Sequence, residues 1–189
     1  MIKTTHSRHS TGHGDQYISP SSIQVTIRDS IQQTIRCSPN VLINTITGQL
    51  RDKAEQESAF ETLPIFNELV SSMTRRIDYV RIKREVQRHF RYVALSHVLE
   101  QDEPPFQHLI QVAVYDRNDF PTHDKLKTFC KIVRDAGSHW AWSDPCCTNQ
   151  LDHVEGNEDP LSMFEWYRNA ALVLVSSVVF ALHHSMVCL

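Results

Sequence analysis

Tyr92-Val93-Ala94-Leu95-Ser96-His97 is the stretch on which the reading of this chain turns. Its short apolar run, partly β-branched, fits a strand buried on both faces, as in the parallel sheet of an α/β protein. The run then breaks directly into a serine and a histidine. Polar groups thereby fall at the carboxyl end of a strand, the side on which open α/β sheets place ligands. Ser96 and His97 are candidate binding residues on that ground, and His97 is also a candidate general acid or base. The plainer alternative is that both only satisfy backbone groups at the strand end.

Downstream, Leu126, Phe129, Cys130, Ile132 and Val133 fall on one side of a helix spanning 122–136, which Gly137 stops. Trp140-Ala141-Trp142-Ser143-Asp144 then reads as a strand completing a βαβ unit with the Tyr92 strand. Asp144 would lie at a second carboxyl end, close to Ser96 and His97, either as a ligand contact or as an anchor for the following loop. Met163, Phe164, Trp166, Tyr167 and Ala170 suggest another helix, and 172–175 another buried strand. The expectation is an α/β fold with a mostly parallel sheet flanked by helices. In it, the Tyr92, Trp140 and Leu172 segments are parallel neighbours.

Upstream, Val41-Leu42-Ile43-Asn44-Thr45 reads as a short strand turned by Thr47-Gly48. Ile65, Phe66, Leu69, Val70 and Met73 recur at helical spacing after Pro64, whose missing N–H costs nothing in a helix's first turn. Arg75, Arg76, Arg81, Lys83, Arg84, Arg88 and Arg91 alternate with Ile77, Val80, Ile82 and Val86. A second helix with a basic outer face follows, either simply solvated or a site for an anionic partner. Residues 1–39 are rich in Ser, Thr, Gln and His, and their one regular feature is the alternation Ile23, Val25, Ile27. They read as a mobile polar leader holding at most one strand, ahead of a domain at 40–189.

Composition bounds the rest. A chain of 189 residues and 21.8 kDa, 41% hydrophobic and 22% charged, can bury one real core and is neither collagenous, coiled-coil nor wholly disordered. Five glycines are about 3% of the chain against a usual ~7%, which leaves no room for a Rossmann fingerprint or P-loop in its usual form. A net charge of −3 gives no overall attraction to nucleic acid or anionic membrane, so a polyanion would need a local patch. Neither nucleic acid nor membrane is an expected partner.

Cys37, Cys130, Cys146, Cys147 and Cys188 are odd in number and lack a framework, and the N-terminus has no signal-peptide core, so a reducing, cytoplasmic setting is expected. Cys146 and Cys147 could ligate metal with His139 or His153. No C-x-x-C spacing supports this, and buried free thiols are the default. Residues 170–189 carry no Lys, Arg, Asp or Glu, a length that could just span a bilayer. The serines and histidines within them, and their overlap with the last strand, favour a soluble chain.

Three ordered blocks carry a resemblance: Tyr92 to His97 with Glu103-Pro104 behind it; Trp140 to Asp144 with Cys146-Cys147 behind it; and Met163-Phe164-Glu165-Trp166-Tyr167-Arg168-Asn169-Ala170. Their order and spacing resemble the fungal heterokaryon-incompatibility (HET) domain, especially its mushroom-type members, over roughly residues 40–176. The resemblance implies a TIR-like, flavodoxin-like α/β fold and a role in self/non-self recognition and cell death when different hyphae fuse. It implies no bound cofactor, but NAD as a substrate cleaved at its nicotinamide–ribose bond by a glutamate. Glu155 is the carboxylate in the matching place, on a loop between His153 and Gly156, with Ser96, His97 and Asp144 lining the pocket. Partners would be a second copy of the chain or other fungal incompatibility proteins. A non-catalytic signalling module, or a degenerate or C-terminally truncated HET fragment, is the competing reading.

Overall fold

The computed structural model describes residues 17–97, 106–116, 121–144, 146–148, 160–176 and 186–188. Strands β1 (Val41–Asn44), β2 (Leu50–Asp52), β3 (Tyr92–His97), β4 (Trp140–Ser143), β5 (Leu172–Ser176) and β6 (Met186–Cys188) form one sheet in the order β2-β1-β4-β3-β5-β6. β4 and β5 flank β3 and both run parallel to it, so the three segments are the parallel neighbours that their helix-bearing connections imply. The sheet as a whole is mixed, which corrects the expectation of a mostly parallel one. β1 pairs antiparallel with both β2 and β4, and β6 pairs antiparallel with β5. A two-strand hairpin needs only a tight turn, so β1 and β2 add to the edge of the parallel core without a crossover.

Local chemistry explains that hairpin. The Asn44 side-chain Oδ1 accepts from the N–H groups of Ile46 at 2.9 Å and Thr47 at 3.0 Å, and Gly48 takes φ +73°. Thr45, fully buried, donates its hydroxyl to the Ser138 carbonyl at 2.8 Å and so ties the turn to the start of β4. Helix α6 (Pro121–Asp135) connects β3 to β4 and ends where Gly137 turns at φ +77°. Helix α7 (Pro160–Asn169) begins at its proline and leads into β5. Leu126, Phe129, Cys130 and Val133 of α6 and Trp166 of α7 join the strands in one core around Trp140 and Trp142, both fully buried.

A second core lies upstream. Helix α1 (Pro20–Ile35), α2 (Lys53–Glu61), α3 (Pro64–Ser72) and α4 (Tyr79–Phe90) bury Ile23, Ile27, Ile31, Ile35, Phe60, Phe66, Leu69, Ile82, Val86 and Phe90 together. This corrects the reading of residues before Pro39 as a poorly packed leader from residue 20 onward. Four isoleucines at a strict spacing of four form one helical stripe, whereas Ile23 and Ile27 with Val25 imitate a strand alternation when the window is too short. Val25 is in fact exposed. Ser19 caps α1 by accepting from the Ser22 N–H at 3.2 Å, and Pro20 occupies the first turn. Asp52 and Glu55 form a reciprocal capping box at the start of α2.

The two cores meet at His89. Its ring lies 4.9 Å from Phe60, 4.8 Å from His139 and 6.0 Å from Trp140, between the helices and the sheet. Burial, with His139 adding to it, pushes its imidazole down to about 3. Among the described residues no helix is long and apolar enough to cross a membrane.

Candidate functional site at the carboxyl ends of the parallel strands

The register of the parallel strands fixes what stands at their carboxyl edge. Leu95 faces Ser143, the last pair of this register, and Ser96 on β3 and Asp144, just beyond β4, are the residues that follow it. On the other flank Ser96 faces Val175 and His97 faces Ser176. Three of the four residues expected from the sequence, Ser96, His97 and Asp144, are thereby brought to one edge. Glu155, the fourth, lies outside the described residues, as does the acidic stretch Glu100-Gln101-Asp102-Glu103 that follows β3 in the sequence.

Helix α7 supplies a group that the sequence reading assigned only to packing. Tyr167 donates its hydroxyl to the Leu95 carbonyl at 3.3 Å. Burial raises its phenol above the ordinary value; the Asp144 carboxylate pushes the same way, and a hydrogen bond with Ser96 opposes both. The hydroxyl therefore sits within reach of both strand ends and stays protonated as a donor. Its ring meets Trp142 edge-on at 5.1 Å and 88°, and Trp166 meets the same indole at 5.7 Å and 65°. Tyr92, near the opposite end of β3, hydrogen-bonds the Trp166 carbonyl and fixes α7 against the sheet. The signal that could have found Tyr167 is its place one residue after Trp166: two adjacent aromatics on a helix cannot both enter the same face.

The Trp142 indole N–H is buried and meets no acceptor among the described residues. Chemically, the edge offers two serine hydroxyls, an imidazole, a phenol and one carboxylate around an aromatic floor. Such a set can hold a polar, hydroxylated ligand, and Asp144 can balance positive charge on it.

The cysteines stand apart from this chemistry. Cys130, Cys146 and Cys147 are buried and free, as expected for packing thiols. Burial pushes Cys130 up to about 12 and Cys147 still higher, so neither is a thiolate nucleophile. The Cys147 N–H donates to the Ser143 carbonyl at 2.9 Å, which makes the turn that carries Asp144.

An α/β domain with a polar edge of this kind is a ligand-site architecture shared by many proteins. Residues 92–181, called the HET segment below, match the family model of the heterokaryon incompatibility protein (HET). The match runs from the first residue of β3 to beyond β5. Helices α1 to α4 lie upstream of it. No curated protein and no solved structure matches the chain.

Proposed function

We propose that the HET segment acts in self/non-self recognition and cell death by binding a nucleotide of the NAD class at the carboxyl edge of β3, β4 and β5, and by cleaving its nicotinamide–ribose bond. The observation that carries this reading is the register that pairs Leu95 with Ser143, so that Ser96 and Asp144 follow at one edge, with Tyr167 hydrogen-bonded to Ser96. In the reaction water attacks the ribose anomeric carbon, the C–N bond breaks and its electron pair leaves with nicotinamide. The attacking water gives up a proton to solvent. Positive charge grows on the ribose during cleavage, and a carboxylate close by lowers that barrier.

Glu155 is the residue proposed to supply that carboxylate. In the sequence it belongs to the connection between β4 and α7. Ser96, His97 and Tyr167 then hold the substrate's hydroxyls, and Asp144 orients the ribose. The alternative is a non-catalytic signalling module, which the conformationally permissive glycine next to Glu155 in the sequence favours.

The test is NAD consumption by purified protein, read as nicotinamide release. Glu155→Ala and Glu155→Gln should each abolish turnover while leaving the circular dichroism unchanged. His97→Ala should raise KM and weaken turnover without abolishing it. Absence of nicotinamide release from the wild type decides for the module. Release that survives Glu155→Ala moves the assignment to Glu100 or Asp144.

A further inference from the structure

A basic stripe on α4 plays no part in the site. Seven cations and two carboxylates fall between Arg75 and Arg91, an excess of five positive charges in a chain whose total is −3, so the remainder carries −8. The fold sorts this segment by face. Ile82, Val86 and Phe90 are buried against α1 and its neighbours, while Tyr79, Val80, Lys83, Arg84 and Arg88 are turned to solvent. Both carboxylates are already engaged. Asp78 caps the helix through the Arg81 N–H at 2.9 Å, and Glu85 pairs with Arg84 at 3.1 Å. Arg81 turns back to Glu68 of α3. Arg76, Lys83 and Arg88 are exposed and make no salt bridge among the described residues.

Beside these cations stand two apolar side chains with no structural duty. Tyr79 is 65% exposed and Val80 77%, at the N-terminal end of the helix. We infer that this face of α4 docks on an anionic lipid surface, with Arg76, Lys83 and Arg88 against the headgroups and Tyr79 and Val80 dipping to the acyl boundary. The convex surface of a single helix offers no groove for a peptide, and it suits a plane of distributed negative charge. A nucleic-acid backbone would use the cations but leave Val80 unsatisfied, whereas the headgroup region accommodates both kinds of group. The strongly negative remainder of the chain is repelled by the same surface, which orients the molecule with α4 towards it. The proposed docking residues all precede β3 in the chain, and none of them is among the residues at its carboxyl edge. The inference does not depend on the NAD reading.

Sedimentation of the full chain with vesicles tests it. Phosphatidylcholine vesicles containing phosphatidylserine should retain the protein, pure phosphatidylcholine should not, and high salt should release it. Each cation removed near the surface should weaken retention about fivefold, so the triple change Arg76→Gln, Lys83→Gln, Arg88→Gln should cost on the order of a hundredfold. None of the three makes a salt bridge among the described residues, so the fold is expected to survive, and Lys131→Gln on α6 is the matched control that should change nothing. Tyr79→Ser should weaken the salt-resistant part of binding. Equal retention of the wild type and the triple variant, retention on uncharged vesicles, no retention at all, or displacement of bound vesicles by a duplex oligonucleotide or an acidic peptide would each overturn the inference.

Discussion

The helical core upstream and the sheet core downstream are built from the same hydrophobic effect but by different rules. The α1–α4 core is aliphatic and phenylalanine-rich, and α1 and α4 each contribute a stripe of buried residues at helical spacing. The sheet core depends on partners far apart in the chain, such as Ile43 with Ala141, and ends in polar groups at one edge. The HET match covers the sheet side from Tyr92 onward and not the helices. The family pattern thus marks one part of the molecule and leaves the upstream helical core outside it.

The largest test of this comparison is in the sheet. Trp140→Ala should destabilise by about 3–5 kcal/mol in denaturant melts, because a fully buried indole at the meeting of β3, β4 and β1 leaves a cavity. Ile31→Ala in α1 should cost about 2–5 kcal/mol by the same reasoning. A change near zero at Ile31 would restore the mobile-leader reading and dissolve the upstream core.

The seam between the cores should respond to pH. In the unfolded chain the His89 imidazole takes up a proton below its ordinary value of 6.5, whereas in the folded chain burial delays this to about 3. The unfolded state therefore binds more protons across that window, and stability is lost as pH falls from 6.5 towards 3. The slope is at most about 1.4 kcal/mol per pH unit. The groups facing His89 are Phe60, Phe90, His139 and Trp140. His139 is itself held below its ordinary value by burial, then by Arg91 and Arg88, so it adds in the same direction. His89→Phe should flatten the stability–pH profile, measured as urea midpoints at successive pH values; an unchanged slope would mean that the seam is not what titrates.

Two smaller changes probe how the parts are joined. Gly48→Ala should cost about 1–3 kcal/mol in thermal melts, since a Cβ there meets Tyr115 Cδ2 at 2.8 Å and the backbone sits at φ +73°. Ser19→Ala should cost about 1 kcal/mol through the lost cap on α1. If Ser19→Ala proved larger than Ile31→Ala, the helix would be held by its end rather than by its buried stripe.

Most of the sheet side was legible because its elements announce themselves locally. A capped helix ending in Gly137, apolar runs too short for helices, and polar strand ends all agree on one topology. The antiparallel additions were not legible, since nothing in Leu50-Arg51-Asp52 reveals its pairing with β1 before the chain is folded. The N-terminal helix was missed for a different reason: polar residues dominate its composition, and its signal is a period of four spread over Ile23 to Ile35. Of the site, strand ends yielded Ser96, His97 and Asp144, whereas Tyr167 arrives from a helix whose direction only the packed fold defines.

The place of β4 in the sheet also shapes how the molecule is made. β4 is inserted between β1 and β3, both of which leave the ribosome well before it. At about 5–20 residues per second, the segment holding β4 emerges roughly 5–20 s after β1. The helices α1 to α4 are complete in that interval and can condense, but β1 waits with its inner edge unpaired. A nascent chain at this stage presents one open strand to its neighbours on the polysome, and the arrival of Trp140-Ala141-Trp142-Ser143 is the event that closes it.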